Sequence, residues 1–243
     1  MEVLSLKSFW EAYQKLSQEE PQEAQRLLRH LLPMALGEVA GRQERSIARR
    51  IASARFIEIK TVDTFDFEDS ATVRKAKNRY LRLLEANFVA EGMGAVFCGS
   101  TGLGKTHLAK ALGYKVCQRN QWVLYQPTSQ VLNTLCAAQA AKDLEGALRK
   151  YVSPSLLILD ELGYMTLSPQ EANLFFQVVS RRHERRRPIV ATTNKSFKEW
   201  NQVFSGDATA HAIVDRLTER AEIFYLEGVE SFRKRHRQNL KQD

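Results

Sequence analysis

Gly99-Ser100-Thr101-Gly102-Leu103-Gly104-Lys105-Thr106 decides the reading of this chain, because it satisfies G-x-x-x-x-G-K-[ST] in full. Its flanks matter as much as its letters. Ala95-Val96-Phe97-Cys98 reads as a short apolar strand, and the residues after the loop keep a helical pattern to about Arg119. At a strand-to-helix junction, Gly102 and Gly104 free the backbone for conformations that a Cβ would block, so successive N–H groups can turn onto one anion. The helix adds the positive end of its dipole. Lys105 is then expected to reach the β- and γ-phosphates of ATP, and the Thr106 hydroxyl to coordinate Mg²⁺. Gly99, Ser100, Thr101, Leu103 and His107 complete the expected nucleotide-binding set. His107 matches no metal-ligand spacing and, taken alone, reads as a surface or packing residue.

Downstream, Leu156-Leu157-Ile158-Leu159-Asp160-Glu161 is an apolar strand ending in two carboxylates. In a parallel sheet that end lies on the edge where ligands bind. Asp160 is placed to hold Mg²⁺, through water, and Glu161 to polarise an attacking water as a base. The plain alternative is two acids serving solubility. Ala191-Thr192-Thr193-Asn194 is another strand with a polar end, where Asn194 either touches the γ-phosphate or lytic water, or merely starts a turn.

Two more apolar runs, Trp122-Val123-Leu124-Tyr125 and Ile223-Phe224-Tyr225-Leu226, alternate with helical stretches: a long region to Lys150, one from about Ser168 to Arg187, and one around His211 to Ala221. Short, nearly unbroken apolar strands separated by helices indicate an α/β fold with a parallel central sheet covered on both faces.

Residues 1–62 have a different texture and are expected to form a small all-helical N-terminal domain. Leu27, Leu28, Leu31 and Leu32 recur at helical spacing, with Pro21 and Pro33 as punctuation. An acidic, aromatic connector, Thr61 to Asp69, marks the boundary to an ATPase domain at 63–233, followed by a basic tail at 234–243. No run approaches the roughly 18 apolar residues of a membrane span. Met1 to Trp10 lacks a basic start followed by an apolar stretch, so no signal peptide is expected and the cytoplasm is the default. Cys98, Cys117 and Cys136 form no Cys-x-x-Cys or Cys/His cluster, which argues against a zinc site or disulfide framework.

The net charge of +8, from 36 basic and 28 acidic residues, points toward a polyanionic partner. Four clusters are placed to contact phosphates: Arg45/Arg49/Arg50, Lys75/Lys77/Arg79/Arg82, Arg181/Arg182/Arg185/Arg186/Arg187, and the C-terminal tail. The run at 181–187 also ends a helix, where cations suit the dipole. No base-reading module is recognised, so sequence-independent binding of duplex DNA is the expectation.

Taken in order, these motifs resemble those of an AAA+ ATPase: Walker A at 99–106, Walker B at 156–161 and a sensor asparagine at 194. Asp160-Glu161-Leu162-Gly163-Tyr164, Ile213-Val214-Asp215-Arg216-Leu217 and Glu230-Ser231-Phe232-Arg233 further resemble the IstB family. These are helper ATPases of bacterial insertion sequences, related to DnaC-type helicase loaders. The resemblance implies a homo-oligomer in which Arg216 is a finger completing a neighbour's active site, with Arg220 one turn away as the competitor. It also implies no C-terminal lid domain, with Arg233 either a second sensor or part of the tail. DNA would be lined by the region after the second strand, with Lys142, Arg149 and Lys150, alongside Arg45, Arg49 and Arg50. The partner would be a transposase. Phe65 and Phe67 resemble a segment that packs near adenine, or they simply anchor the connector. A DnaC-like helicase loader is the alternative function.

Overall fold

The computed structural model describes residues 7–68, 71–204 and 207–226 of the 243. These form two compact units divided between Arg49 and Arg50. The first comprises α1 (Lys7–Glu19) and most of α2 (Pro21–Ser53). Pro21 opens α2, where a missing N–H is harmless. Pro33, expected as punctuation, lies inside the same helix. An interior proline costs about 3 kcal/mol through its lost hydrogen bond and ring clash. Leu28, Leu31 and Leu32 before it and Leu36 after it line one groove with Trp10 and Tyr13 of α1, and such tertiary packing overrides propensity.

The second unit holds α3 (Ala71–Glu85), α4 (Phe88–Glu91), β1 (Gly94–Gly99), α5 (Lys105–Gln118), β2 (Val123–Pro127), α6 (Thr128–Ala140), α7 (Leu144–Val152), β3 (Leu156–Leu162), α8 (Pro169–Glu184), β4 (Ile189–Thr193), α9 (Trp200–Val203), α10 (Asp207–Thr218) and β5 (Ala221–Leu226). The expected long helix before Lys150 is two helices, broken where Lys142 takes a φ of 58°. The strands lie in the order β2-β3-β4-β1-β5 and every pairing is parallel. That order brings the ends of β1, β4 and β3 side by side on one edge.

Alternation along the strands splits the core in two. Val96, Cys98, Leu157, Leu159 and Ala191 pack on one face, and Ala95, Phe97, Leu156, Ile158 and Val190 on the other. Both faces are covered by helices, which is why the strands read as apolar runs rather than alternating ones.

The second unit takes in residues ahead of the acidic connector. Ala54 is buried in its core, and the Ala54 carbonyl accepts the Tyr125 N–H at 2.9 Å. β2 is an edge strand, so this contact satisfies one of its outward donors. Phe65 and Phe67 are 8% and 7% exposed and meet edge-on with centroids 4.7 Å apart, so the connector is anchored by both rings. The motif at 230–233, including Arg233, and the tail at 234–243 lie outside the described residues.

Candidate functional site

The loop after β1 has the backbone its glycines permit. Gly99, Gly102 and Gly104 take φ values of 143°, 88° and 79°. At Gly99 a Cβ would meet the Leu226 carbonyl oxygen at 1.9 Å, and at Gly104 it would meet the Phe65 ring at 2.4 Å. The loop is therefore pinned between β5 and the connector. Lys105 begins α5, and its ammonium donates to the carbonyls of Gly99 and Ser100, each at 2.7 Å. Those bonds hold the cation over the loop, where phosphate oxygens would replace the carbonyls.

Asp160, at the end of β3, is buried at 5% exposure and enclosed by hydroxyls. Its Oδ1 accepts from Thr106 Oγ1 at 2.9 Å and from Thr192 Oγ1 at 2.5 Å; its Oδ2 accepts from the Tyr125 phenol at 2.6 Å. Its backbone carbonyl accepts from Thr128 Oγ1 at 2.9 Å. Thr106 and Asp160, remote in sequence, thus meet directly. Mg²⁺ takes hard oxygen ligands and keeps waters and substrate phosphates in its shell, and a hydroxyl beside a carboxylate at a phosphate loop fits that chemistry. Among the described residues no three His, Cys, Asp or Glu side chains gather in one place.

Glu161 is positioned by a bulge. Leu159 pairs with Ala191 and Leu162 with Thr193, so β3 spends one residue more than β4 over that interval. Glu161 absorbs it with a φ of 58°, its N–H donating to Thr192 Oγ1 at 3.0 Å. Normal alternation is broken there, and next to the buried Asp160 the exposed carboxylate of Glu161 lines a cavity of about 540 Å³. Thr101, Gly102, Gly104, Lys105, Thr106, His107, Glu161 and Asn194 all line this one cavity. Of the expected nucleotide set, Gly99, Ser100 and Asp160 are not among the lining residues, and Leu103 faces the core at 1% exposure.

The connector also lines the cavity, through Thr64, Phe65 and Asp66, as do Glu58 and Lys60 just ahead of it. His107 ties it to the loop: its Nε2 lies 2.8 Å from the Thr61 carbonyl and 3.3 Å from Thr64 Oγ1. Burial lowers its pKa below the usual 6.5, so the neutral ring is favoured, and its bond to Thr61 opposes that shift. Lys110 carries no signal in the sequence, and Tyr125, Thr192 and Tyr164 stand there only as members of longer runs. Thr192 had a visible signal, a hydroxyl at the end of an apolar strand; Tyr125 had only its place at the end of the second apolar run.

Arg216 does not join the cavity. It lies on α10, donates to the Ala212 carbonyl at 3.1 Å and sits over the Phe176 ring at 5.0 Å. It lines a small depression with Arg220, Gly94 and Ile189, where β1 and β4 begin. The Walker loop follows the other end of β1. Five steps of about 3.3 Å place the two ends of this strand roughly 16 Å apart.

The basic clusters fare unequally. Arg45 and Arg49 are exposed on α2, Arg50 is half-buried, and Arg45 pairs with Glu38. Lys142 and Arg149 are exposed, while Lys150 lies over the Tyr151 ring. Lys77 pairs with Glu68 and Arg79 with Glu222. In the 181–187 run, Arg181 pairs with Glu145, and Arg182 is wholly buried, donating to the carbonyls of Tyr151, Pro154 and Pro188. Arg182 is therefore structural and unavailable to a polyanion. It serves the C-terminal carbonyls of α7, with burial pushing its pKa down to about 9.

The sequence profile of the family described as "IstB-like ATP binding protein" matches residues 1–240. Similar proteins include the "Insertion sequence IS5376 putative ATP-binding protein" of Geobacillus stearothermophilus, 38% identical over 82% of this chain and 78% of its own length. The "Insertion sequence IS21 putative ATP-binding protein" of Pseudomonas aeruginosa is 36% identical over 84% of this chain and 76% of its own. Among solved structures, the DnaC helicase loader aligns with a TM-score of 0.61 at 20% identity, covering 68% of this chain and 96% of that one. AMPPCP-bound DnaA from Aquifex aeolicus aligns with a TM-score of 0.60 at 20% identity, covering 75% and 55%. At such identities the likeness is one of fold: a parallel sheet covered by helices, with a phosphate-loop motif between its first strand and the following helix.

Proposed function

The chain belongs to the IstB-like ATP binding protein family, and from that premise we propose that it is an ATP-hydrolysing helper of transposition that assembles on duplex DNA and recruits or activates a partner transposase. One observation carries the chemistry: a direct Thr106–Asp160 contact with Glu161 bulged into the same cavity as Lys105 and Asn194. A cradle that only bound nucleotide would have no use for a second carboxylate held there at a strained φ.

Each residue then has a role. The loop N–H groups and Lys105 orient the β- and γ-phosphates, and Lys105 exchanges its carbonyl partners for phosphate oxygens. Mg²⁺ bound by Thr106 and Asp160 would offset the phosphate charge during transfer. Glu161 accepts a proton from the attacking water, and Asn194 holds that water or the γ-phosphate. Arg216, at the far edge of its own sheet, can complete only a neighbour's site, where a cation offsets charge developing in the transition state. The protein would thus work as a homo-oligomer.

Lys142, Arg149 and Lys150 around α7, together with Arg45, Arg49 and Arg50 on α2, would supply sequence-independent phosphate contacts. That the similar proteins are named for insertion sequences favours a transposition helper over a helicase loader, whose likeness rests on fold.

Glu161→Gln tests the central assignment. The variant is expected to bind ATP as the wild type does while releasing phosphate at least 100-fold more slowly, in line with loss of a positioned base. Phosphate release at the wild-type rate removes Glu161 from that role.

A further inference from the structure

The carboxylate of Asp160 can present either oxygen to a metal, and nothing in Asp160 itself decides which. Its surroundings do. Oδ1 is shared by Thr106 from α5 and Thr192 from β4, while Oδ2 is taken by the Tyr125 phenol from β2. Each oxygen offers about two acceptor positions. If Thr106 turns its hydroxyl to a cation, the position freed is on Oδ1, facing the loop. The carboxylate must not rotate at that moment. Thr192 and Tyr125 remain on opposite oxygens, and rotation would break both bonds.

Tyr125 is itself held on three sides. Its ring carries the Lys110 ammonium at 4.6 Å and meets Phe56 at 6.0 Å, while its N–H is fixed to Ala54.

We propose that Tyr125 is a positioning residue for the metal, its phenol clamping Oδ2 so that Asp160 offers Oδ1 to a Mg²⁺-bound nucleotide. The proposal rests on the reading of this cavity as a magnesium–nucleotide site. Outer partners of metal-binding carboxylates commonly alter metal affinity by 10- to 100-fold, whereas a bond that merely satisfied a buried carboxylate would alter stability alone.

The test titrates the full chain with a fluorescent ATP analogue, in EDTA and across a Mg²⁺ series, for the wild type and Tyr125→Phe, with melting curves in EDTA alongside. Tyr125→Phe keeps the ring and its cation contact. Its affinity in EDTA is expected to match the wild type, while the Mg²⁺ concentration giving half the metal-dependent gain rises about tenfold. An unchanged Mg²⁺ midpoint in folded Tyr125→Phe overturns the proposal. A wild type whose nucleotide affinity ignores Mg²⁺ strikes instead at the site reading on which it stands. Should Tyr125→Phe not fold, 3-fluorotyrosine placed at 125 keeps ring and hydroxyl. Its ¹⁹F resonance is expected to move when Mg²⁺ is added to the nucleotide-bound protein, and a resonance that stays put counts against the clamp.

Discussion

At Glu161 the backbone holds a left-handed φ of 58°, a conformation that costs a residue with a side chain about 1–2 kcal/mol. The cost is sustained by the paired strands on either side and by the Thr192 hydroxyl that accepts the Glu161 N–H. What it secures is direction: a carboxylate sent into the cavity from a strand whose alternation would have taken it elsewhere. Glu161→Gly is therefore expected to melt no lower than the wild type, and up to a few degrees higher, while phosphate release is lost. A melting temperature several degrees below wild type would show that the side chain contributes to the fold. The Asp160-Glu161 pair was legible from sequence as a strand-end motif. The bulge was not, because it exists only in the register against β4, which no local pattern reports. The same holds for Tyr125, whose partner is 35 positions away.

The strands were the most legible elements, since an apolar run between turn residues has few other uses. Helix limits were less so. Pro33 and the break at Lys142 show why: both depend on what the flanking turns pack against. The arginine run at the end of α8 makes the point in reverse. Read as charge, five arginines between 181 and 187 look like one surface. In the fold, Arg182 is the bracket between α8, the end of α7 and the start of β4, with the carbonyls of Tyr151, Pro154 and Pro188 on its guanidinium. Buried carbonyls left without donors each cost about 1–3 kcal/mol. Arg182→Met is expected to lower unfolding free energy by about 3 kcal/mol in urea titrations, partial compensation coming from the added apolar volume. A loss below about 0.5 kcal/mol, the range of ordinary surface changes, would mean that the bracket is dispensable.

For the molecule as a whole, a net charge of +8 with exposed Lys142 and Arg149 makes any DNA affinity a matter of counterion release. Replacing Lys142, Arg149 and Lys150 together by Ala is expected to weaken binding on all duplex sequences and to flatten the log–log salt dependence by about 2–3 units. An unchanged slope would place the DNA elsewhere. Geometry sets the second expectation. The nucleotide loop and Arg216 lie at opposite ends of one parallel sheet, so the contact proposed between them would join unlike surfaces of two copies, the head-to-tail arrangement that yields rings or filaments. In such an arrangement each active interface needs an intact Lys105 from one copy and an intact Arg216 from the next. Lys105→Ala and Arg216→Ala should each be inactive alone. Mixed in equal amounts under assembly conditions, random neighbours would make about a quarter of the interfaces fully competent, and phosphate release should return to that order. Were Arg216 acting within its own chain, or only bracing α10 against Phe176, every copy in the mixture would still lack one essential group. The mixture would then be as inactive as its components.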